Sequence, residues 1–356
     1  MGEIAYKIAV RGRAGIRDVA EAAGVSVATV SRALNKPDSV TPVLRARVTD
    51  AARRLGYLGN GAARALASRR SGAMGALVPT LDNPIFAACI DAFQQRLDAH
   101  GISLLVASAG YDAAAETRGL RTLLQRGVDG ILLVGAAHEP ETWALLPPDL
   151  PAVVTWMHRA EGCALPCIGF DNAAAAARIT RHLLALGHRR IGMIAGLARG
   201  NDRAAARIDG VRAALAEAGL TLAPPLLAER AYSVAEGSAA MAALLALPDP
   251  PTAVVCGNDH LAFGALVAAR RAGLAVPADL SVTGFDDLDF LAHGDPPLTT
   301  VHVPAAEMGR RAADHLAALA AGKEPPPPAE LEAPVVLRGT TAPPARRRAT
   351  PRRARA

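Results

Sequence analysis

Short apolar runs alternate with amphipathic helical stretches through most of the chain, and this alternation restricts the fold more than any other feature. AMGALVPT precedes a helical stretch from Pro84 to His100, ISLLVAS precedes Ala113 to Arg126, and DGILLVG precedes a short helix, PAVVTW and IGFDN. A second series runs from a helix over Ala173 to Leu186 through RIGMIAG, a helix over Arg203 to Ala218 and a strand ending near Tyr232. It continues with a helix over Ala235 to Leu247, then TAVVCGN, Leu261 to Ala272 and LSVTGFDD. Strands buried on both faces lose polar alternation, so such runs between helices predict parallel α/β structure. The length of this body fits two doubly wound sheets.

The stretch before the body has a different pattern. Ile16, Val19, Ala20 and Ala23 share one helix face, and Gly24 ends that helix. Ser26 is placed to N-cap a second helix, Val27 to Leu34, with Val30, Ala33 and Leu34 turned inward. Thr41-Pro42 opens a third helix that buries Leu44, Val48, Ala51, Ala52 and Leu55 before Gly56. Two short helices joined by a glycine-containing turn form a helix-turn-helix pattern. Its second helix leaves Val27, Ala28, Thr29, Ser31 and Arg32 outside. Such a helix fits the DNA major groove, where arginine bonds guanine, small apolar groups meet thymine methyls and hydroxyls hold phosphates.

Charge divides the chain in the same places. Residues 1–72 hold 13 Lys/Arg against 5 Asp/Glu, residues 342–356 hold 6 Arg and no acid, and the remainder carries 20 basic against 28 acidic residues. A basic head suits a polyanion such as DNA. The chain has no apolar run long enough for a membrane span, and MGEIAYKIAVRGRAG lacks a secretory pattern, so a cytoplasmic, membrane-free protein is expected. Cys89, Cys163, Cys167 and Cys256 are scattered, and neither a metal site nor a disulfide is expected. Phosphate-cradling, dinucleotide, zinc-protease and nucleophile-elbow motifs are all missing, so neither an enzyme nor a cofactor is expected.

IRDVAEAAGVSVATVSRALN, followed by RLGYLGNGAARAL, resembles the head of the lactose-repressor (LacI/GalR) family of bacterial transcription regulators. The body resembles that family's periplasmic-binding-protein-like core through LVPTLDNPIFA, VDGILLVG, GFDN, PTAVVCGNDHLAFGAL, VPADLSVTGFDD and PPLTTVHVP, so the likeness covers roughly residues 15–341. It implies base reading chiefly by Val27, Ala28 and Arg32, with Arg17, Ser26, Thr29, Ser31 and Asn35 completing the DNA contacts of the head. It also implies a hinge helix over Asn60 to Ser68, in which Asn60 and Arg64 meet DNA and Leu66 wedges into the minor groove. Two positions depart from the family: Gly15 where a threonine is frequent, and Gly61 inside the hinge segment, where glycine disfavours helix.

Ligands of open parallel sheets bind beyond the carboxyl ends of the strands. Here those ends carry LDNPIF, Asp171-Asn172, Gly196 to Arg207, Tyr232, Asn258-Asp259 and Asp286-Asp287, a set that suits a polyhydroxylated ligand. The resemblance implies effector contacts by Phe86, by Tyr232 as an aromatic wall, by Arg203 or Arg207 as anchors, and by Asp286 as a hydroxyl acceptor. Asn258 and Asp259 match the family's pocket-facing pair, and Asn83, Asp171 and Asn201 complete the candidate set. Asp171 and Asp259 precede helices and are equally placed to act as caps.

The expected organisation is an extension over 1–14, a helix-turn-helix domain over 15–59, a linker over 60–72, a core over 73–341 and a basic disordered tail over 342–356. The core divides into an N-subdomain of 73–171 plus 304–330 and a C-subdomain of 172–303 plus 331–341. The function expected is a homodimeric repressor, bound to double-stranded, pseudo-palindromic operator DNA on the nucleoid and controlled by a sugar or sugar acid between the subdomains. The alternatives are an effector-independent regulator with a vestigial pocket, and a transporter's solute-binding protein.

Overall fold

The computed structural model describes residues 14–35, 37–58, 70–157, 159 and 163–345. Contacts divide the chain into two compact units, Met1–Ser71 and Gly72–Ala356.

The first unit contains α1 (Ile16–Ala23), α2 (Val27–Asn35) and α3 (Pro42–Arg54). Gly24 ends α1 with φ of 61°, a left-handed conformation that costs glycine little. No side chain at Gly15 can cap α1, and instead Asp18 Oδ2 reaches back to accept the Gly15 N–H at 2.7 Å. Thr41 Oγ1 accepts the Leu44 N–H at the start of α3. Val19, Ala20, Ala23, Val30, Ala33, Val48, Ala51 and Ala52 form the core, with Leu34 and Leu44 half-buried against it. Leu55 departs from expectation: it is 39 % exposed, because the helix has ended at Arg54. The Tyr57 N–H closes onto Ala52 O, and Tyr57 packs on the core in its place.

The second unit holds two parallel sheets. In the first, β1 (Ala73–Val78), β2 (Ser103–Ser108), β3 (Ile131–Val134), β4 (Ala152–Thr155) and β5 (Cys167–Ile168) are ordered β2-β1-β3-β4-β5. In the second, β6 (Ile191–Gly196), β7 (Leu227–Arg230), β8 (Ala253–Cys256) and β9 (Ser281–Thr283) are ordered β7-β6-β8-β9. The central strands β3, β4, β6 and β8 are buried along their whole length, which accounts for their unbroken apolar sequences.

Helices α4 (Pro84–Ala99), α5 (Ala113–Gln125) and α6 (Pro140–Leu145) belong to the first sheet, and α7 (Asn172–Ala185), α8 (Asp202–Glu217), α9 (Val234–Leu245) and α10 (Asp259–Arg271) to the second. The short α11 (Asp289–Ala292) is followed by β10 (Thr300–Val301), then α12 (Ala305–Ala320) and β11 (Val335–Val336). Helix α12 returns to the first sheet and packs along α4. Gly309 allows that approach, since a Cβ there would overlap Cys89 O.

The described chain passes between the sheets at three places. It leaves the first sheet after β5 into α7, returns from β10 into α12, and crosses again where Gly169 bridges Glu330 and β11 pairs antiparallel with β10. All three lie beside β5 and β9, the strands at one edge of each sheet. Residues beyond β11 then cover the free edge of β9: the Val282 N–H donates to Thr340 O, and the Ala342 N–H to Ser281 Oγ. The tail expected from residue 342 thus has its first residue tied into the second sheet. Residues 346–356, the N-terminal 1–13 and the hinge positions Asn60, Arg64 and Leu66 lie outside the described residues.

Candidate functional site

In the first unit, Ser26 Oγ accepts the Thr29 N–H at 3.2 Å and bonds Thr29 Oγ1 at 2.9 Å, so both hydroxyls set the start of α2. Val27, Ala28, Arg32 and Asn35 are exposed, Thr29 and Ser31 are half-buried, and Arg17 on α1 is exposed. Asn35 Nδ2 donates to Ser31 Oγ at 3.3 Å, and Arg32 Nε lies 3.4 Å from Ala28 O, leaving the rest of the guanidinium outward. This face is small, pairs the apolar Val27 and Ala28 with hydroxyl and amide groups, and carries a single long cation. An open groove of about 660 Å³ along α3, lined by residues including Arg45, Thr49 and Arg53, is shallow surface without buried polar groups.

In the second unit, the carboxyl ends of strands from both sheets meet around a cavity of about 20 Å³, roughly the space one water needs. It is lined by Asn83, Ile85 and Phe86 at the start of α4, Tyr111 after β2, and Trp156 after β4. Asn201, Arg203 and Arg207 come from the start of α8, Tyr232 follows β7, Asn258 follows β8, and Asp286 follows β9.

Three of the polar lining residues, Asn83, Asn201 and Asn258, also begin a helix, and this determines what they have left to offer. The side-chain oxygens of Asn83, Asn201 and Asn258 accept the N–H groups of Ile85, Ala204 and Leu261. An asparagine that caps with its oxygen keeps an NH2 to donate elsewhere. Asn83 favours the charged form of Asp286. Asn258 Nδ2 finds no partner among the described residues although the residue is only 2 % exposed. An unpaired buried donor is costly, and one on a residue that lines a cavity is available to a ligand acceptor.

The two arginines are held by the protein itself. Arg207 donates from Nε to Asn172 Oδ1 at 2.9 Å and from Nη1 to Gly257 O at 2.6 Å, and lies over the Phe285 ring. Burial pushes its pKa down, opposed by Tyr232 and Asp286. Arg203 Nη1 donates to Val134 O and to Asp202 Oδ1. Burial drives the Asp286 carboxyl well above the usual carboxylate range, against the pull of Arg207 and Asn83. The cavity therefore brings together acceptors, donors and aromatic faces, the surface that ring hydroxyls and C–H groups require.

Two expected residues do not line it. Asp171 caps α7, its Oδ1 accepting the Ala174 N–H. Asp259 is fully buried, with Oδ2 accepting the Leu288 N–H and Oδ1 the Thr300 hydroxyl, and burial raises its pKa to about 6. Asp171 thus holds a helix start through one oxygen, and Asp259 holds the loop after β9 through both.

A model of the lacI family of bacterial regulatory proteins matches residues 15–60, and one of the periplasmic-binding-protein-like domain matches residues 180–341. The HTH-type transcriptional repressor CytR of Escherichia coli K12 is 37 % identical over 299 residues, covering 84 % of this chain and 87 % of CytR. The chain belongs to the lacI family. Among solved structures, the lac repressor dimer bound to operator and the anti-inducer ONPF is similar with a TM-score of 0.82 and 28 % identity, over 92 % of this chain and 99 % of that one. The complex of the transcriptional regulator CelR with cellobiose matches with a TM-score of 0.66 and 29 % identity, over 92 % of this chain and all of that one.

Three lining residues of this lacI-family chain escaped sequence reasoning: Ile85, Tyr111 and Trp156. Trp156 follows β4 directly and Tyr111 lies just past the end of β2, so the strand-end rule would have found both. Backbone conformation supplies a second signal, invisible in sequence. The described non-glycine residues with positive φ are Tyr111, Trp156, Asp286 and Asp287, three of them in the lining and the fourth adjacent to it. Residues held in such conformations concentrate at functional sites.

Proposed function

We propose that this protein is a homodimeric transcriptional repressor that binds a pseudo-palindromic operator and is released from it, or fixed on it, by a sugar-like effector held between the two sheets. The observation that carries the effector site is the buried, unpaired Nδ2 of Asn258, a residue that lines the cavity. A ligand hydroxyl oxygen would satisfy it, while Asp286 accepts a ligand hydroxyl and Tyr232, Tyr111, Phe86 and Trp156 cover the ring faces.

Operator binding falls to α2, with Arg32 as the donor to guanine and Val27 and Ala28 against thymine methyls. Two-fold symmetry calls for half-sites about one helical turn apart. The effector changes operator affinity only through its preference for one arrangement of the sheets, and couplings of about 5 to 150-fold are typical. The named ligands of CelR and the lac repressor support a small effector. Isothermal calorimetry with a panel of neutral sugars and sugar acids tests the reading. Heat with one of them, lost in Asn258→Asp, which keeps the helix cap but replaces the donor with an acceptor, is expected. No heat from any member of the panel favours the effector-independent regulator.

A further inference from the structure

We propose that Asp202 and Arg203 form a clasp that holds the two sheets shut over the cavity, so that Asp202 controls access to it without lining it. Asp202 opens α8 of the second sheet, yet its Oδ2 accepts the N–H groups of Ala136 at 2.6 Å and Ala137 at 3.1 Å, just past β3 of the first. Its Oδ1 accepts Arg203 Nη1 at 2.8 Å, and the same Nη1 reaches Val134 O at 3.1 Å. One carboxylate and one guanidinium thus join residues of different sheets, more than sixty positions apart, through charge-assisted hydrogen bonds.

Gly135 is shaped for this contact. Its φ is 75°, and a Cβ there would overlap both the Arg203 guanidinium and the Asp202 carboxylate. The chain crossings lie beside β5 and β9, at one edge of the sheets, whereas the clasp joins the ends of β3 and β6, away from that edge. At the far edge, beyond β2 and β7, the rings of Tyr111 and Tyr232 meet with centroids 5.9 Å apart. Hinge, clasp and ring pair therefore close the cavity in sequence across its width, leaving about 20 Å³. A sugar-sized ligand needs far more, so the clasp must release before one enters, and the fraction of molecules with the clasp closed reduces apparent affinity. Only this last consequence rests on the effector reading; the clasp is tested without a ligand.

The test uses the full-length chain carrying Trp143→Phe, which leaves Trp156 as the one tryptophan, itself 2 % exposed in the cavity wall. Asp202→Ala breaks the clasp from the second sheet, and Gly135→Ala wedges it from the first. In both variants, hydrogen exchange at the Ala136 and Ala137 amides should rise about tenfold or more, and acrylamide should quench Trp156 severalfold more strongly. Retention of a shielded Trp156 in either variant overturns the proposal: with faster exchange it reduces Asp202 to a local loop cap, and without it the contact holds nothing.

Discussion

Arg207 lies face-on over Phe285, its guanidinium carbon 3.7 Å from the ring centroid, on the second sheet's side of the cavity. Its fork is fixed by Asn172 Oδ1 and Gly257 O, so the cation is held in place whether or not a ligand is near. Arg207→Lys keeps a charge but loses the planar stack and the paired donation. It should lower stability by about 2–3 kcal/mol and remove the effect of the effector on operator binding. Urea unfolding together with operator titration, with and without effector, measures both.

Ser26 sets the start of α2 by accepting the Thr29 N–H. Ser26→Ala should destabilise the first unit by about 1 kcal/mol and weaken operator binding, with no change in the unfolding of the second unit. Hydrogen exchange on each unit separates the two outcomes.

Arg32 is exposed and supplies the one long donor of the outer α2 face. Arg32→Ala should leave the melting temperature unchanged while reducing discrimination between operator and random DNA by about 1–3 kcal/mol. Competition binding at fixed salt checks this. Discrimination preserved in the variant would transfer specificity to DNA shape.

His188 is buried, with Nδ1 on Thr252 Oγ1 and Nε2 near Ser281 Oγ and Ala342 O, and burial lowers its pKa. Burial lowers the pKa of His182 as well. A histidine kept neutral in the fold binds fewer protons than in the unfolded chain once the pH approaches the unfolded value of about 6.5. The contribution of His188 to stability should therefore be level above about pH 7 and decline as pH falls through about 6.5 towards its lower folded value, while the raised carboxyls of Asp259 and Asp286 act with the opposite sign. Thermal unfolding of the parent chain and of His188→Gln across this range isolates the histidine: the difference between the two should shift in favour of the variant as pH falls below about 6.5.

How far the sequence revealed the site depended on the signal each residue leaves. The αβ alternation placed the strand ends, and with them Asn83, Phe86, Asn201, Arg203, Arg207, Tyr232, Asn258 and Asp286, all of which line the cavity. Asp171 and Asp259 share the same strand-end position but bond within the protein, to the Ala174 N–H and to the Leu288 N–H and Thr300 hydroxyl, a distinction that depends on geometry rather than residue type. Tyr111 and Trp156 lacked a polar signature, and their left-handed backbones appear only in three dimensions. Asp202 leaves no signal in the sequence, because its partners are backbone N–H groups just past a strand of the other sheet. Leu55 was misplaced by one helical residue: periodicity continued past the point where Gly56 turns the chain.

The most direct test of the account is selection of DNA bound by the full-length chain from a random pool, repeated with the sugar that gives heat in calorimetry. The account predicts a two-fold symmetric consensus whose affinity shifts by about fivefold or more when that sugar is present. A preference-free pool, or a consensus whose affinity ignores a sugar bound in the cavity, would contradict it.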